Sequence, residues 1–224
     1  MSDESNIVES PDSLADECSD VLRDVLNAST VGFVEEPTSR GVAYLSVGSG
    51  ATQALAGNRN YKVLPFHKSS NVGRFWIAAI LRFLPHQRDF QLIDLSVVLF
   101  KGAAQDSEKN PLLRAEWGSM KYYASENHAQ PHWHVYPEDP AGYFLDRGFL
   151  EEAVQVEEFS PGTESNSAQV VEKEIPSLHL AMAAGWHNGS SSTHRVPISS
   201  AKAVDWLDGC IRYMREQIEH TYDD

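Results

Sequence analysis

From Leu14 the apolar residues Leu14, Cys18, Val21, Leu22, Val25 and Leu26 recur every three or four positions, the spacing that lines one side of an α-helix. Ser10-Pro11-Asp12-Ser13, just ahead of them, supplies a capping hydroxyl, a first-turn proline and an early acid. A second stripe of the same period, Ala203, Val204, Leu207, Cys210, Ile211, Met214 and Ile218, starts behind Ser199 and Ser200 and predicts a helix near the C-terminus. Between the two stripes the period shortens. TVGFVEE (30–36) and GVAYLSVG (41–48) are short β-branched or aromatic runs on either side of a Pro-Thr-Ser-Arg-Gly turn and predict a hairpin. YKVLPF (61–66) adds a strand, and QLIDLSVVLFKG (91–102), with its almost unbroken apolar end, predicts one inside a sheet. LLRAEWGSMKYY (112–123) and PHWHVYP (131–137) are joined by a polar connection short enough to make them antiparallel neighbours.

Two stretches read differently. SSNVGRFWIAAILRFLP (69–85) has capping residues at its start, Pro85 at its end and continuous bulky apolar residues between, and predicts a buried helix with Arg74 and Arg82 on its wet side. The glycine-rich SVGSGATQALAG (46–57) lacks a P-loop lysine and a third dinucleotide-binding glycine, so it predicts a tight turn before a short helix. The expected architecture is an α+β fold in which a mostly antiparallel sheet is flanked by about three helices. Residues 1–12 read as a flexible acidic tail and 13–224 as a single domain, with a mobile polar loop at SPGTESNSAQ (160–169). FLEEAVQVEEF (149–159) fits helix or strand equally.

Composition narrows the function classes. With 18 basic against 32 acidic residues the net charge is −14, a field that opposes nucleic acid and anionic membrane surfaces. No apolar run is long enough to span a bilayer and no secretory leader opens the chain, which predicts a protein without a membrane segment, placed in the cytoplasm. Cys18 and Cys210, the two cysteines, form neither a disulfide framework nor a CxxC pair.

Candidate chemistry gathers in HAQPHWHVYPED. In a strand, His132 and His134 share one face about 7 Å apart, from which two imidazoles can converge on one ion, while Trp133 turns to the core. His128, in the connection before Pro131, has the parity to add a third ligand, and Glu138 a carboxylate. His179 and His187 downstream join the set if their segment lies beside the HxH strand. Glu116, set between Ala115 and Trp117 in an apolar strand, needs a partner such as Arg114 or a histidine and suits a general base.

The spacing of His132, His134 and Glu138 resembles the first metal motif of the cupins, small β-barrels that bind iron, manganese or zinc, although Glu126 and Leu145 stand where that motif has glycines. PHWHV is also similar to the PPHxHV segment of small bacterial proteins found near toxin–antitoxin loci. Three functions follow as expectations. The first is a small metal-dependent hydrolase holding zinc or iron, with Glu116 or Glu138 activating water for a small-molecule substrate. The second is a non-enzymatic acidic accessory protein that meets a basic protein partner, as a toxin-neutralising or defence-system subunit. The third is a cupin-like metal-binding protein.

Overall fold

The computed structural model describes residues 6–56, 59–69, 73–119, 130–136, 178–181 and 196–222. Their order is β1 (Ile7–Val8), α1 (Pro11–Leu26), β2 (Gly32–Pro37), β3 (Val42–Val47), β4 (Thr52–Ala56), β5 (Arg59–Ser69), β6 (Gly73–His86), β7 (Asp89–Lys101), β8 (Asn110–Gly118), β9 (His132–Val135), β10 (Leu178–Ala181) and α2 (Ser200–Tyr222). The fold is α+β: an antiparallel sheet of ten strands with two helices among the described residues.

The spine is the β6–β7 hairpin, paired from Phe75↔Lys101 to His86↔Asp89 around a two-residue turn in which Gln87 takes a positive φ of 55°. On one side of β6, β5 pairs with its first half and β3 with its second; β3 in turn carries β2. On the far side of β7 lie β8, then β9, then β10, and β1 pairs with Phe90 and Gln91 at the other end of β7. β2 and β10 stand at the two ends of the path, and among the described residues no pair joins them.

Strand alternation splits the interior into two layers. Phe75, Ile77, Ala79, Leu81 and Phe83 of β6, with Leu95, Val97 and Leu99 of β7, Ala115 and Trp117 of β8 and the partly buried Trp133 of β9, face the helices. There they meet Leu14, Cys18, Leu22 and Val25 of α1 and Leu207, Cys210, Ile211 and Met214 of α2. Trp76, Ala78, Val98 and Phe100 face the other way and pack with Ala54, Tyr61 and Val63 of the β4–β5 pair. Lys109, 1 % exposed, lies over the Trp76 ring with its ammonium 4.9 Å from the centroid and donates to the carbonyls of Gln53 and Asp106, which satisfies a buried charge.

Three expectations are corrected. The helix expected over 69–85 is β6. A strand buried on both faces shows no polar alternation, so a continuous apolar run carries the same signature as a buried helix, and here the partners on both sides decide. That removes one helix from the expected three. The short helix expected within 46–57 is instead β4, hydrogen-bonded to β5, after a turn with Gly50 at φ 75°. The acidic tail expected over 1–12 is, from Asn6 onward, tied into the fold: the buried Asn6 amide donates to the Leu92 carbonyl at 3.0 Å and β1 joins the sheet. The loop expected at 160–169 lies outside the described residues, as does the segment 149–159.

The ends of α1 match the sequence. Ser10 caps α1, accepting from the Ser13 amide at 3.4 Å with Pro11 at the first position, and Asn27 closes it in the left-handed region. No helix among the described residues is long and apolar enough to cross a membrane. Burial pushes the Cys18 thiol up to about 12 and raises Cys210 further, so native protein should leave both thiols unreacted with a disulfide reagent at pH 8, and both should appear on unfolding. Leu81→Ala should lower the free energy of urea unfolding by about 2–5 kcal/mol, because Leu81 is fully buried between strands and helices.

Candidate metal centre

Register builds the site. β8 and β9 pair so that Glu116 stands opposite His132 and Arg114 opposite His134, which puts all four on the sheet face turned away from the helices. The start of β9 is fixed from two directions: the Gln130 side-chain oxygen accepts from the Gly118 amide at 2.7 Å, and the Gln130 carbonyl accepts from the Val196 amide at 2.6 Å. Behind the site, Trp117 donates to the Val196 carbonyl at 2.9 Å and packs on Trp206, while Trp133 packs on Tyr213 with ring centroids 5.2 Å apart. The α2 helix therefore holds β8 and β9 by their aromatic residues and leaves the polar residues to the other face.

On that face the side chains converge. His132 Nε2 and His134 Nε2 are 2.7 Å apart, Glu116 Oε2 is 2.9 Å from His134 Nε2 and 3.6 Å from His132 Nε2, and these three residues form a group whose ligand atoms could hold a metal ion. Arg114 closes the cluster, its Nη2 3.1 Å from Glu116 Oε2 and 3.0 Å from His134 Nε2. His132 and His134 are 2 % and 5 % exposed and Arg114 8 %, while Tyr136 stacks parallel to His134 at 6.3 Å. Burial, the largest influence, pushes the Glu116 carboxyl up, but the Arg114 guanidinium, the His134 hydrogen bond and the charges of both histidines together outweigh it and hold the carboxyl below the usual carboxylate range. Glu116 is thus an anion, the form a metal requires.

The spacing fits an ion. Two ligands bound at about 2.05 Å lie about 3.3 Å apart at a tetrahedral centre and about 2.9 Å apart at neighbouring octahedral positions, and the three separations straddle both values. Zinc and iron are both compatible with two imidazoles and one carboxylate.

Of the residues expected from sequence, the structure brings Glu116, His132 and His134 together. The backbone register sets His179 of β10 directly opposite His134, on the strand beside the HxH pair. His128, His187 and Glu138 lie outside the described residues. Arg114 was legible only as a possible partner of Glu116; the signal for its place in the site is parity, because residues 114 and 116 share a face just as 132 and 134 do. No family model, curated protein or solved structure matches the chain.

Removing Arg114 leaves Glu116 as a buried anion short of its strongest cation. Arg114→Met should therefore destabilise metal-free protein by about 3 kcal/mol or more, and Arg114→Met/Glu116→Leu by less than the sum of the two single changes, measured by urea unfolding in chelator. Because the folded-state carboxyl lies below its ordinary value of 4.5, its contribution is complete above that pH and is lost as pH falls further. Glu116→Gln should accordingly flatten the stability profile of metal-free protein below about pH 4.5.

Proposed function

We propose that the protein is a small metal-dependent hydrolase that holds zinc or iron on Glu116, His132 and His134. One observation supports the metal-binding part of this reading. His134 Nε2 faces His132 Nε2, Glu116 Oε2 and Arg114 Nη2, all within 3.0 Å, and one imidazole nitrogen cannot suit them all. If it bears a proton it donates to Glu116 but opposes the Arg114 donor; if it bears a lone pair it accepts from Arg114 but opposes the carboxylate. A cation among the three ligand atoms suits both imidazole lone pairs and the carboxylate, which then point at positive charge, and requires the Arg114 guanidinium to turn away from them.

The residues have distinct tasks in this reading. Glu116 brings the one negative charge, His132 and His134 bring neutral nitrogens, and the aromatic packing of Trp117 and Trp133 against α2 fixes the strands that carry them. His179, which the ladder sets opposite His134, is the candidate for a third imidazole. A bound ion supplies Lewis acidity and a water whose pKa falls to about 7. With Glu116 used as a ligand, the base role expected for it passes to another group, and Glu138 is the remaining sequence candidate.

A second reading is supported by Arg114, which already balances the Glu116 charge: the cluster is then a polar seam between β8 and β9 in a non-enzymatic, acidic protein. Metal uptake separates the two. Protein purified without a histidine tag and dialysed against zinc or iron should retain about one equivalent per chain, and its melting temperature should rise with free metal by mass action. His132→Ala and His134→Ala should each abolish both effects, and because both side chains are buried each should also melt below metal-free wild type. Uptake below a tenth of an equivalent by wild type would leave the seam as the better account.

A further inference from the structure

β2 ends one side of the sheet: among the described residues it pairs with β3 alone, from Gly32↔Val47 to Pro37↔Val42. One contact fixes which of its backbone groups face outward. The Phe33 amide donates to the Ser19 hydroxyl of α1 at 3.0 Å, so it points away from β3, and in an antiparallel ladder every second residue does the same. Phe33, Glu35 and Pro37 are therefore the outward residues. Pro37, which has no amide to offer, stands where the lack costs no bond to β3. Ser19 closes the start of this edge. Beyond it, the Glu35 amide and the carbonyls of Phe33, Glu35 and Pro37 meet no protein partner among the described residues, which leaves one donor and three acceptors in a row.

The two faces beside the edge differ in chemistry. On the face turned to the helices, Glu35 stands opposite Tyr44, whose hydroxyl donates to Asp12 Oδ1 at 2.7 Å. Burial, that hydrogen bond and the charges of Asp12, Glu35 and Asp16 hold the Tyr44 phenol above its ordinary range, so three carboxylates surround one ring. All three acids are exposed, and none forms an ion pair among the described residues. On the other face Glu36 is already paired with Lys62, and Val34 is 48 % exposed opposite Leu45, outside both buried layers.

A strand laid against β2 puts the side chain opposite Glu35 among these carboxylates and its neighbour beside Val34. Lysine or arginine suits the first place and an apolar residue the second. A second copy of β2 does not meet this requirement: GFVEEP carries two glutamates and no basic residue, so pairing β2 with itself adds like charge at the edge. The net charge of −14 also favours encounter with a basic protein.

We propose that the open edge of β2 is a docking site for an extended segment of a basic partner protein, added antiparallel as a further strand with a lysine or arginine opposite Glu35 and an apolar residue beside Val34. Backbone hydrogen bonds hold the segment and the alternation of its side chains selects it. The proposal is independent of the metal-binding reading.

The test follows amide exchange by nuclear magnetic resonance in full-length, isotope-labelled protein. Without a partner the Glu35 amide should exchange faster than those of Val34 and Glu36, which face β3. A capped peptide of alternating lysine and valine should slow the Glu35 amide saturably. The same peptide with glutamate for lysine should not, and N-methylation of alternate residues, which removes the peptide's donors, should abolish the effect. Glu35→Lys should weaken the lysine peptide about tenfold or more at an unchanged urea midpoint, because the side chain is exposed. Asp16→Lys, which leaves the strand untouched, should weaken it in the same direction. No saturable change at the Glu35 amide up to about 1 mM lysine peptide, equal binding of the glutamate peptide, or affinity indifferent to Glu35→Lys overturns the proposal. A Glu35 amide already protected in free protein overturns it as well, and one that loses this protection on dilution names a second copy as the occupant.

Discussion

The pairing of β8 with β9 sets which side chains meet at the site. Side chains alternate along a strand, so a slip of one residue would send His132 and His134 toward the helices and Trp133 onto the polar face. Register is held because the wrong face is expensive. Trp117 and Trp133 fill space against Trp206 and Tyr213, while Glu116, Arg114, His132 and His134 meet on one face only when aligned as they are. Apolar packing on one face and polar convergence on the other specify the same alignment, and each side strengthens the other.

That arrangement explains why a marginal group of polar residues can be buried at all. The β6–β7 hairpin and the two helices supply a large apolar core that is independent of the cluster. Stability drawn from that core offsets the desolvation of Arg114 and Glu116, whose mutual attraction roughly restores what burial costs. A site need not stabilise the fold if the rest of the sheet does. The convergence of like-lone-pair atoms on one point is better explained as a binding geometry than as a device for stability.

How much was legible in the sequence follows from which patterns are unambiguous. Both helices were, because Leu14 to Leu26 and Ala203 to Ile218 keep a helical period and carry a serine at their start. The hairpin over β2 and β3, the interior position of β7 and the adjacency of β8 and β9 were also readable from short apolar runs and intervening turns. The residues 73–86 were not. Their run of Phe75, Trp76, Ile77, Ala78, Ala79, Ile80 and Leu81 faces two apolar layers, and periodicity has nothing to register when both faces are dry. For the site, parity gave the shared face of His132 and His134, and the unusual setting of Glu116 marked it. The pairing register between two strands is a long-range property, so the meeting of Glu116 with His132, and the presence of Arg114, awaited the fold. The contact of β10 with β9 was anticipated only as a condition, and the ladder now sets His179 opposite His134.

Glu116, His132 and His134 together could hold one metal ion. Crystals of zinc-soaked protein, with anomalous differences collected on both sides of the zinc absorption edge, test it most directly. An ion held there gives one strong peak about 2.0–2.2 Å from His132 Nε2, His134 Nε2 and a Glu116 carboxylate oxygen, with the Arg114 guanidinium moved off that oxygen. A cluster that keeps Arg114 between Glu116 and His134, with zinc absent or bound only elsewhere on the acidic surface, would contradict it.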